Sequence, residues 1–394
     1  MKPLALAKLG SLTTLISSGS TPLGGASRYL PEGPVMFIRS QNVLMNRLDL
    51  SDVVYIDSGL HDEMKRTHVR SGDVFINITG ASIGRVAAFD RNGDKANVNQ
   101  HVCIIRPKPE QLDCRYLTTF LCSPRFQENI NRLQRGGTRQ ALTFDMIASF
   151  DIPLPSLPEQ RRIATILDKA DAILRKREEG IRLTEELLRS TFLQMFGDPA
   201  INSRKWPTEP LGTLAQLDRG RSRHRPRDEP SLYGGPYPFI QTGDVANSDG
   251  YISAFTQTYS EAGLAQSKFW PEGTLCITIA ANIAKTAILS IKACFPDSLV
   301  GLVAGERLTI EYVRFWFVAM EKVIDAAATQ VAQKNINLEI LNGLTIAVPP
   351  LALQMRFSQF VRHIYGVKKL RSDAVQATTD LFDSLVQRAF RGEL

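Results

Sequence analysis

Apolar positions recur every seven residues from Leu167 through Leu174, Ile181 and Leu188 to Met195, and Ile163, Ile166, Ala170 and Ile173 widen the same stripe. A sustained seven-residue period is the seam of a helix that pairs with one other helix, not of one lying on a broad core. The ends are marked as a helix requires. Ser156 and Glu159 form the S-x-x-E pattern of a capping box, Pro158 sits in the first turn, and Gly197 followed by Pro199 supplies the stop. Gly180 costs about 1 kcal/mol relative to alanine and marks a place to bend. A second stripe, Phe360, Ile364, Val367, Leu370, Ala374, Leu381 and Leu385, predicts a second long helix, this time without a capping box because Leu353 stands where the first copy has Glu159.

The rest of the chain has a different pattern. Short runs rich in Val, Ile and Phe, such as VMFIR, DVFINIT, RVAAF and VCIIRP, are broken by Gly, Pro, Asn and Asp and read as strands. Two longer stretches, beginning at Cys114 and at Ile310, read as helices.

The second half of the chain repeats the first. At an offset of 194, TFDMIASFDIPLPSL faces NLEILNGLTIAVPPL, Gln160 meets Gln354, Arg162 meets Arg356, and Phe196 meets Phe390. Upstream the offset becomes 201, where GDVFINI faces GTLCITI, and then 202, where LGSL at Leu9 faces LGTL at Leu211. Such steps are what insertions in surface loops produce. The fold class is therefore α+β: two globular mixed α/β parts, residues 1–150 and 200–346, each followed by a long helix, in 151–199 and 347–394.

The chain has 394 residues, a formal charge of +7, and 43% apolar content, as expected of a folded protein with more than one domain. Residues 1–150 carry 18 Lys and Arg against 13 Asp and Glu, an excess that permits a polyanionic partner. Five cysteines with no C-x-x-C spacing argue against a disulfide scaffold or structural zinc and for a reducing compartment. The apolar stretch from Thr274 to Ile291 is interrupted by Asn282 and Lys285, so no membrane span is expected. A cytoplasmic location follows as the expectation. The sequence carries no G-x-x-x-x-G-K-[ST], H-E-x-x-H or G-x-S-x-G motif, nor the Asn/Asp-Pro-Pro-aromatic motif of amino-methyltransferases. His61 and His68 lie beside Asp62 and Glu63 in what reads as an exposed loop, with no metal expected.

The segment IPLPSLPEQRRIATILDKADAIL, the helix end STFLQMFGDP, and QKNINLEILNGLTIAVPPL with the terminal AFRGEL resemble the specificity (S) subunit of type I restriction–modification enzymes. The duplicated layout extends that resemblance over nearly the whole chain. It implies two target recognition domains, each reading one half of a bipartite double-stranded DNA target. It also implies that the two helices pack as an antiparallel coiled coil, a spacer between the domains. Two methyltransferase subunits would dock on the helical regions and restriction subunits would join for cleavage. This chain would then be non-catalytic and hold no cofactor, with S-adenosylmethionine on the methyltransferase subunit. A helix of roughly 40 residues spans about 60 Å, which limits the two reading heads to roughly 17 base pairs apart. The competing reading is an interaction scaffold that uses paired helices to hold proteins and does not touch DNA.

Candidate DNA contacts are chosen by chemistry: arginine and lysine for phosphates or guanine edges, glutamine and asparagine for adenine. In the first globular part they are Arg39, Gln41 and Asn42 after a strand, Ser82 and Arg85 in TGASIGR, and Arg135, Thr138, Arg139 and Gln140 in QRGGTRQ. In the second they are Arg219, Arg221, Arg223 and Arg225 in a basic run expected to be a mobile loop, together with Gln241, Lys285, Gln333, Lys334 and Asn335. The helix–helix spacer is assigned to Ile163, Leu167, Ala170, Leu174, Ile181 and Leu188 with Phe360, Ile364, Val367, Leu381 and Leu385. Its charged faces, among them Glu178, Glu179, Arg182, Glu185, Glu186 and Arg189, are expected to serve as docking surface.

Overall fold

A computed structural model describes residues 4–134, 141–224, 226–279, 283–329 and 336–394. The chain divides into two compact units, Met1–Glu178 with Asp373–Leu394, and Glu179–Ser372. Each therefore holds one globular part and a half of each long helix.

The first unit is built on an antiparallel sheet in the order Thr13–Ser18, Val102–Pro107, Asp73–Asn77, Val86–Phe89. Its central strands read as unbroken apolar runs because both faces are covered. Val74, Ile76, Cys103 and Ile105 face one core, while Phe75, Val102 and Ile104 face another. A three-stranded sheet joins Val35–Ile38 antiparallel to Val54–Ile56 and parallel to Ala96–Val98. The expected helix at Cys114 is two helices, Cys114–Cys122 and Pro124–Gln134. Pro124 has no N–H to give and forces Ser123 into extended backbone, with ψ at 143°.

The second unit repeats this plan with a five-stranded sheet ordered Ala215–Arg219, Leu299–Ala304, Leu275–Thr278, Thr286–Leu289, Tyr251–Ile252. A four-stranded sheet lies beside it, and a single helix, Ile310–Thr329, stands where the first unit has two. In both units a short ribbon closes the globular part: Leu6–Lys8 pairs with Asp151–Pro153, and Thr208–Pro210 with Thr345–Ala347.

The long helices are Leu157–Phe196 and Leu351–Arg391. In the first unit Ile163, Ala164 and Leu167 share a core with Val386 and Ala389, and further along Arg177 reaches Ala374, so the two run antiparallel. In the second unit Leu188, Phe192 and Phe196 share a core with Phe357 and Val361. Gly197, at φ 82°, donates its N–H to the Leu193 carbonyl at 2.8 Å and ends the first helix as its sequence requires.

The seam is apolar only toward its ends. Ala170, Leu174, Ile181, Phe360, Ile364, Val367 and Leu385 are half-buried. Leu381 is 59% exposed and does not belong to the spacer, and Leu370 and Ile173 are also exposed. A straight helix drifts about 20° per heptad away from a strict seven-residue seam, which turns these positions outward. Polar clasps take their place. Arg177 Nη1 donates to the Ala374 carbonyl at 2.6 Å and to the Thr378 hydroxyl. In the other unit Arg371 Nη1 donates to the Gly180 carbonyl at 2.9 Å and to the Thr184 hydroxyl at 3.2 Å. At the offset of 194 these are the same three positions. Gly180 thus lies inside a continuous helix and offers its carbonyl to an arginine.

Candidate nucleic-acid interface

In the first unit three loops converge where strands end. The Thr79–Arg85 hairpin is closed by Gly84 N–H to the Asn77 carbonyl at 2.8 Å and by Arg85 N–H to the Ser82 carbonyl at 3.1 Å. Gly80 and Gly84 sit at φ 78° and 83°, which leaves glycine as the residue that turns this corner without strain. Asn77, fully buried, ties the hairpin to the next loop through Ser40 O at 2.8 Å and Ser82 Oγ at 3.1 Å. The third loop joins through Thr79 Oγ1 to His101 Nδ1, and Asn99 N–H bonds the Ile38 carbonyl at 3.0 Å.

Around this edge the expected contacts separate into two kinds. Ser82 and Arg85 are half-buried and Gln41 is exposed, so all three keep surface accessible to a partner. Asn42 does not: it is fully buried, accepting from Arg39 N–H at 2.9 Å and donating to Asp49 O and Asp52 Oδ1 at 3.0 and 2.7 Å. It holds a turn and is withdrawn as a base contact. Arg39 likewise spends its guanidinium on the Asp52 carbonyl at 2.7 Å. Asp52, which also receives Gln41, was not singled out in the sequence because it lies ten or more residues from the groups it organises.

Arg135, Thr138, Arg139 and Gln140 lie outside the described residues, as do Arg225, Gln333, Lys334 and Asn335. The chain that follows each of these two segments is anchored in the same way. Leu142 N–H bonds the Ile78 carbonyl at 3.0 Å, and in the second unit Ile336 N–H bonds the Ile279 carbonyl at 3.2 Å. Both carbonyls directly follow the strand that leads into the hairpin.

The described residues of the second unit's basic run are bonded to their surroundings at several points. Arg219 ends a strand paired with Leu299–Ala304. Arg221 N–H bonds the Phe295 carbonyl at 3.0 Å, Arg223 N–H bonds Gln266, and Arg227 holds Asp297 at 2.8 Å. The backbone N–H groups of Arg221 and Arg223 are thus anchored while their side chains remain exposed. Asp218 beside the run is held below the usual carboxylate range by Lys268 at 2.8 Å. Gln241 is exposed, with its side chain on Gln257. Lys285 is paired with Glu321 at 2.7 Å.

The histidine pair also differs from expectation. His61 is 8% exposed, belongs to the helix Ser58–Glu63, stacks on His68 at 3.7 Å, and bonds Asn97. Asn97 and Leu60 pull that segment inward. No group of three His, Cys, Asp or Glu able to hold a metal occurs among the described residues. All five cysteines are unpaired, and burial pushes the Cys103 and Cys122 thiols up to about 12. No helix among the described residues is long and apolar enough to cross a membrane.

What the two units share is their frame. Gln160, fully buried, accepts from Asp113 N–H at 2.9 Å and donates to the Gln111 and Pro155 carbonyls. Gln354, also fully buried, accepts from Thr309 N–H at 3.0 Å and donates to the Arg307 and Pro349 carbonyls. Tyr116 and Tyr312 each give a hydroxyl to the closing ribbon, at Pro153 and Ala347. The two units thus carry unlike polar edges on the same frame.

The model of the type I restriction modification DNA specificity domain matches residues 8–183 and again 204–368. The chain belongs to that family. Its two specificity domains coincide with the two copies of the repeat. Among relatives of this specificity family, the EcoKI specificity subunit of Escherichia coli K12 is 21% identical over 425 residues, covering 99% of this chain and 89% of that protein. The HindI specificity subunit of Haemophilus influenzae is 19% identical, with 91% and 94% covered. Among solved structures, the S subunit of the type I restriction–modification system from M. genitalium superposes with a TM-score of 0.63 at 16% identity, over 99% of both chains. A chain from a structural study of complex assembly in a type I R-M system gives 0.56 at 19%, over 100% and 99%. These likenesses establish the specificity-subunit fold.

Proposed function

We propose that this chain reads a two-part DNA sequence, one part with each unit, for a methyltransferase that it carries. The observation that supports this reading is the repeated frame bearing different polar edges. The Gln160 and Gln354 latches are the same, whereas the first edge offers Gln41, Ser82 and Arg85 and the second offers Arg221, Arg223 and Gln241. Identical frames place two readers alike, and unlike side chains make the two half-sites different. The chain itself is the DNA-recognition component. Two methyltransferase subunits dock on the long helices, where Glu178, Arg189 and their neighbours are exposed, and restriction subunits join that assembly. S-adenosylmethionine is then held by the methyltransferase subunit.

The test is to express the chain with its methyltransferase in a host and map the methylated bases. A two-part motif with an unspecified spacer is expected. Replacing residues 1–150 by the equivalent part of a relative should change one half of the motif and leave the other intact. A change in both halves, or a single continuous motif, overturns the reading.

A further inference from the structure

The second unit contains a cleft of about 180 Å³, lined by Glu185, Arg189, Asp249, Lys285, Arg314 and Tyr365 among others. Arg314 is 9% exposed. Its Nη1 donates to the Tyr365 hydroxyl at 2.9 Å, while its Nε is buried with no partner. The backbone is shaped around it: a Cβ on Gly250, at φ 109°, would lie 2.2 Å from the Arg314 guanidinium carbon.

The acids of the cleft are already engaged. Glu185 and Asp249 both hold Lys368, at 2.6 and 3.1 Å, and Glu321 holds Lys285 at 2.7 Å. Among the described residues no carboxylate lies within ion-pair distance of Arg314. Its other neighbours are rings, with Phe315 and Tyr365 centroids at 5.1 and 5.7 Å. Cation–π contacts offset only part of the desolvation of a buried guanidinium. The first unit has no counterpart to the buried pair, since Thr118 stands for Arg314 and Asp171 for Tyr365, while Arg85 holds the hairpin position of Lys285. There Asp171 supplies an internal carboxylate, to Arg175 and to Asn46 at 2.9 Å.

We propose that this cleft binds one oxyanion group of the phosphate type, seated on the Arg314 guanidinium. The Tyr365 oxygen accepts from Arg314, so its own O–H is free to donate to the anion, and Arg189 adds positive charge at the lining. The volume is below the roughly 300 Å³ of ordinary small-molecule pockets, so a single anionic group enters and not a whole nucleotide. A free phosphate and a phosphodiester of DNA share this chemistry.

Titration of inorganic phosphate into the full chain, followed by calorimetry at low salt, tests the proposal. One saturable site is expected, with a melting temperature that rises as the site fills. Arg314→Leu should weaken binding by about tenfold or more, as loss of a charge-assisted hydrogen bond does. Tyr365→Phe, which keeps the ring and the packing, should weaken it by about threefold. No saturable uptake by the folded wild-type chain, or uptake undiminished in both variants, overturns the site. Repeating the titration with target duplex present separates the sources. Competition places a backbone phosphate in the cleft, and independent binding identifies a free anion. Because phosphate uptake is read without DNA recognition, failure here leaves the proposed function standing, and the reverse.

Discussion

At one pair of corresponding positions an ion pair joins the globular part to a long helix in both units, and its polarity is reversed between them. In the first unit Arg115 of the globular helix faces Asp168 of the first long helix at 3.6 Å. In the second, Glu311 faces Arg362 of the second long helix at 2.7 Å. These positions correspond through the repeat, so base stands where acid stands in the other copy. The surroundings differ as well. Arg115 and Asp168 are 45% and 33% exposed, whereas the Glu311 side chain is 3% exposed and also receives the Tyr251 hydroxyl at 3.2 Å. By contrast the Gln160 and Gln354 latches keep every partner type. Positions that bond backbone are held fixed by the geometry of the backbone, and positions that bond a side chain are free to exchange charge with it. The reversal also sets like charges together if either globular part docks on the wrong helix, which disfavours misassembly between the repeats.

The largest effect tests the shared part of this comparison. Gln160→Ala or Gln354→Ala leaves one N–H and two carbonyls without their buried partner in either unit. Each should cost about 2–4 kcal/mol, about equally, in denaturant unfolding of the full chain. A clear inequality would mean that the two frames are not equivalent.

The ion pairs should then separate the units. Arg362→Ala strands the buried Glu311 and should cost about 2–3 kcal/mol, while Arg115→Ala should cost less than about 1 kcal/mol. Their pH dependence should have opposite sign. Burial, the largest single influence, pulls Glu311 upward, but the hydrogen bond and charge of Arg362 together with the neighbouring hydrogen bonds outweigh it and leave the carboxyl below its ordinary value of 4.5. Its stabilisation is present above that value and is lost as pH falls through the depressed pKa. Burial raises Asp168 above its ordinary 3.8 against the pull of Arg115, so ionisation there opposes folding and acidification relieves it. Glu311→Gln should therefore lower the melting temperature at pH 7 with a deficit that shrinks toward pH 4, whereas Asp168→Asn should raise it slightly at pH 7. Deficits of the same sign in both variants would remove the contrast.

Much of the frame was legible in the sequence because it is written twice. The offset of 194 paired Gln160 with Gln354 before either had a role, and the strands at Val35, Asp73, Val86 and Val102 stand where their apolar runs begin. The heptad reading carried the helix pair but misplaced Leu381, because a period fixes a face only over a few turns. The candidate interface was legible by residue type and not by burial. Asn42 and Gln41 are adjacent and chemically alike, yet one is locked to Asp49 and Asp52 inside a turn and the other stands exposed. Those partners lie seven to ten residues away, with no periodicity to announce them. Arg314 escaped notice because on a helix as apolar as Ile310–Thr329 a lone arginine resembles an ordinary surface residue.

The smallest stability effect, with the sharpest functional one, compares two cations beside the hairpins. Among the described residues Arg85 has no carboxylate within ion-pair distance, while Lys285 is neutralised by Glu321 at 2.7 Å. A free guanidinium at a polar edge contributes to DNA binding by releasing counterions, and a cation already paired releases few. Arg85→Ala should change unfolding stability by less than about 0.5 kcal/mol yet weaken duplex binding by the assembled complex. The slope of log affinity against log salt should fall by about one if Arg85 holds a phosphate. A loss confined to one base position, with the slope unchanged, would instead make it a reader of a guanine edge. Lys285→Ala should leave the salt slope where it was. If the lysine variant loses slope and the arginine variant does not, the polar edge of the first unit is not the face that meets DNA.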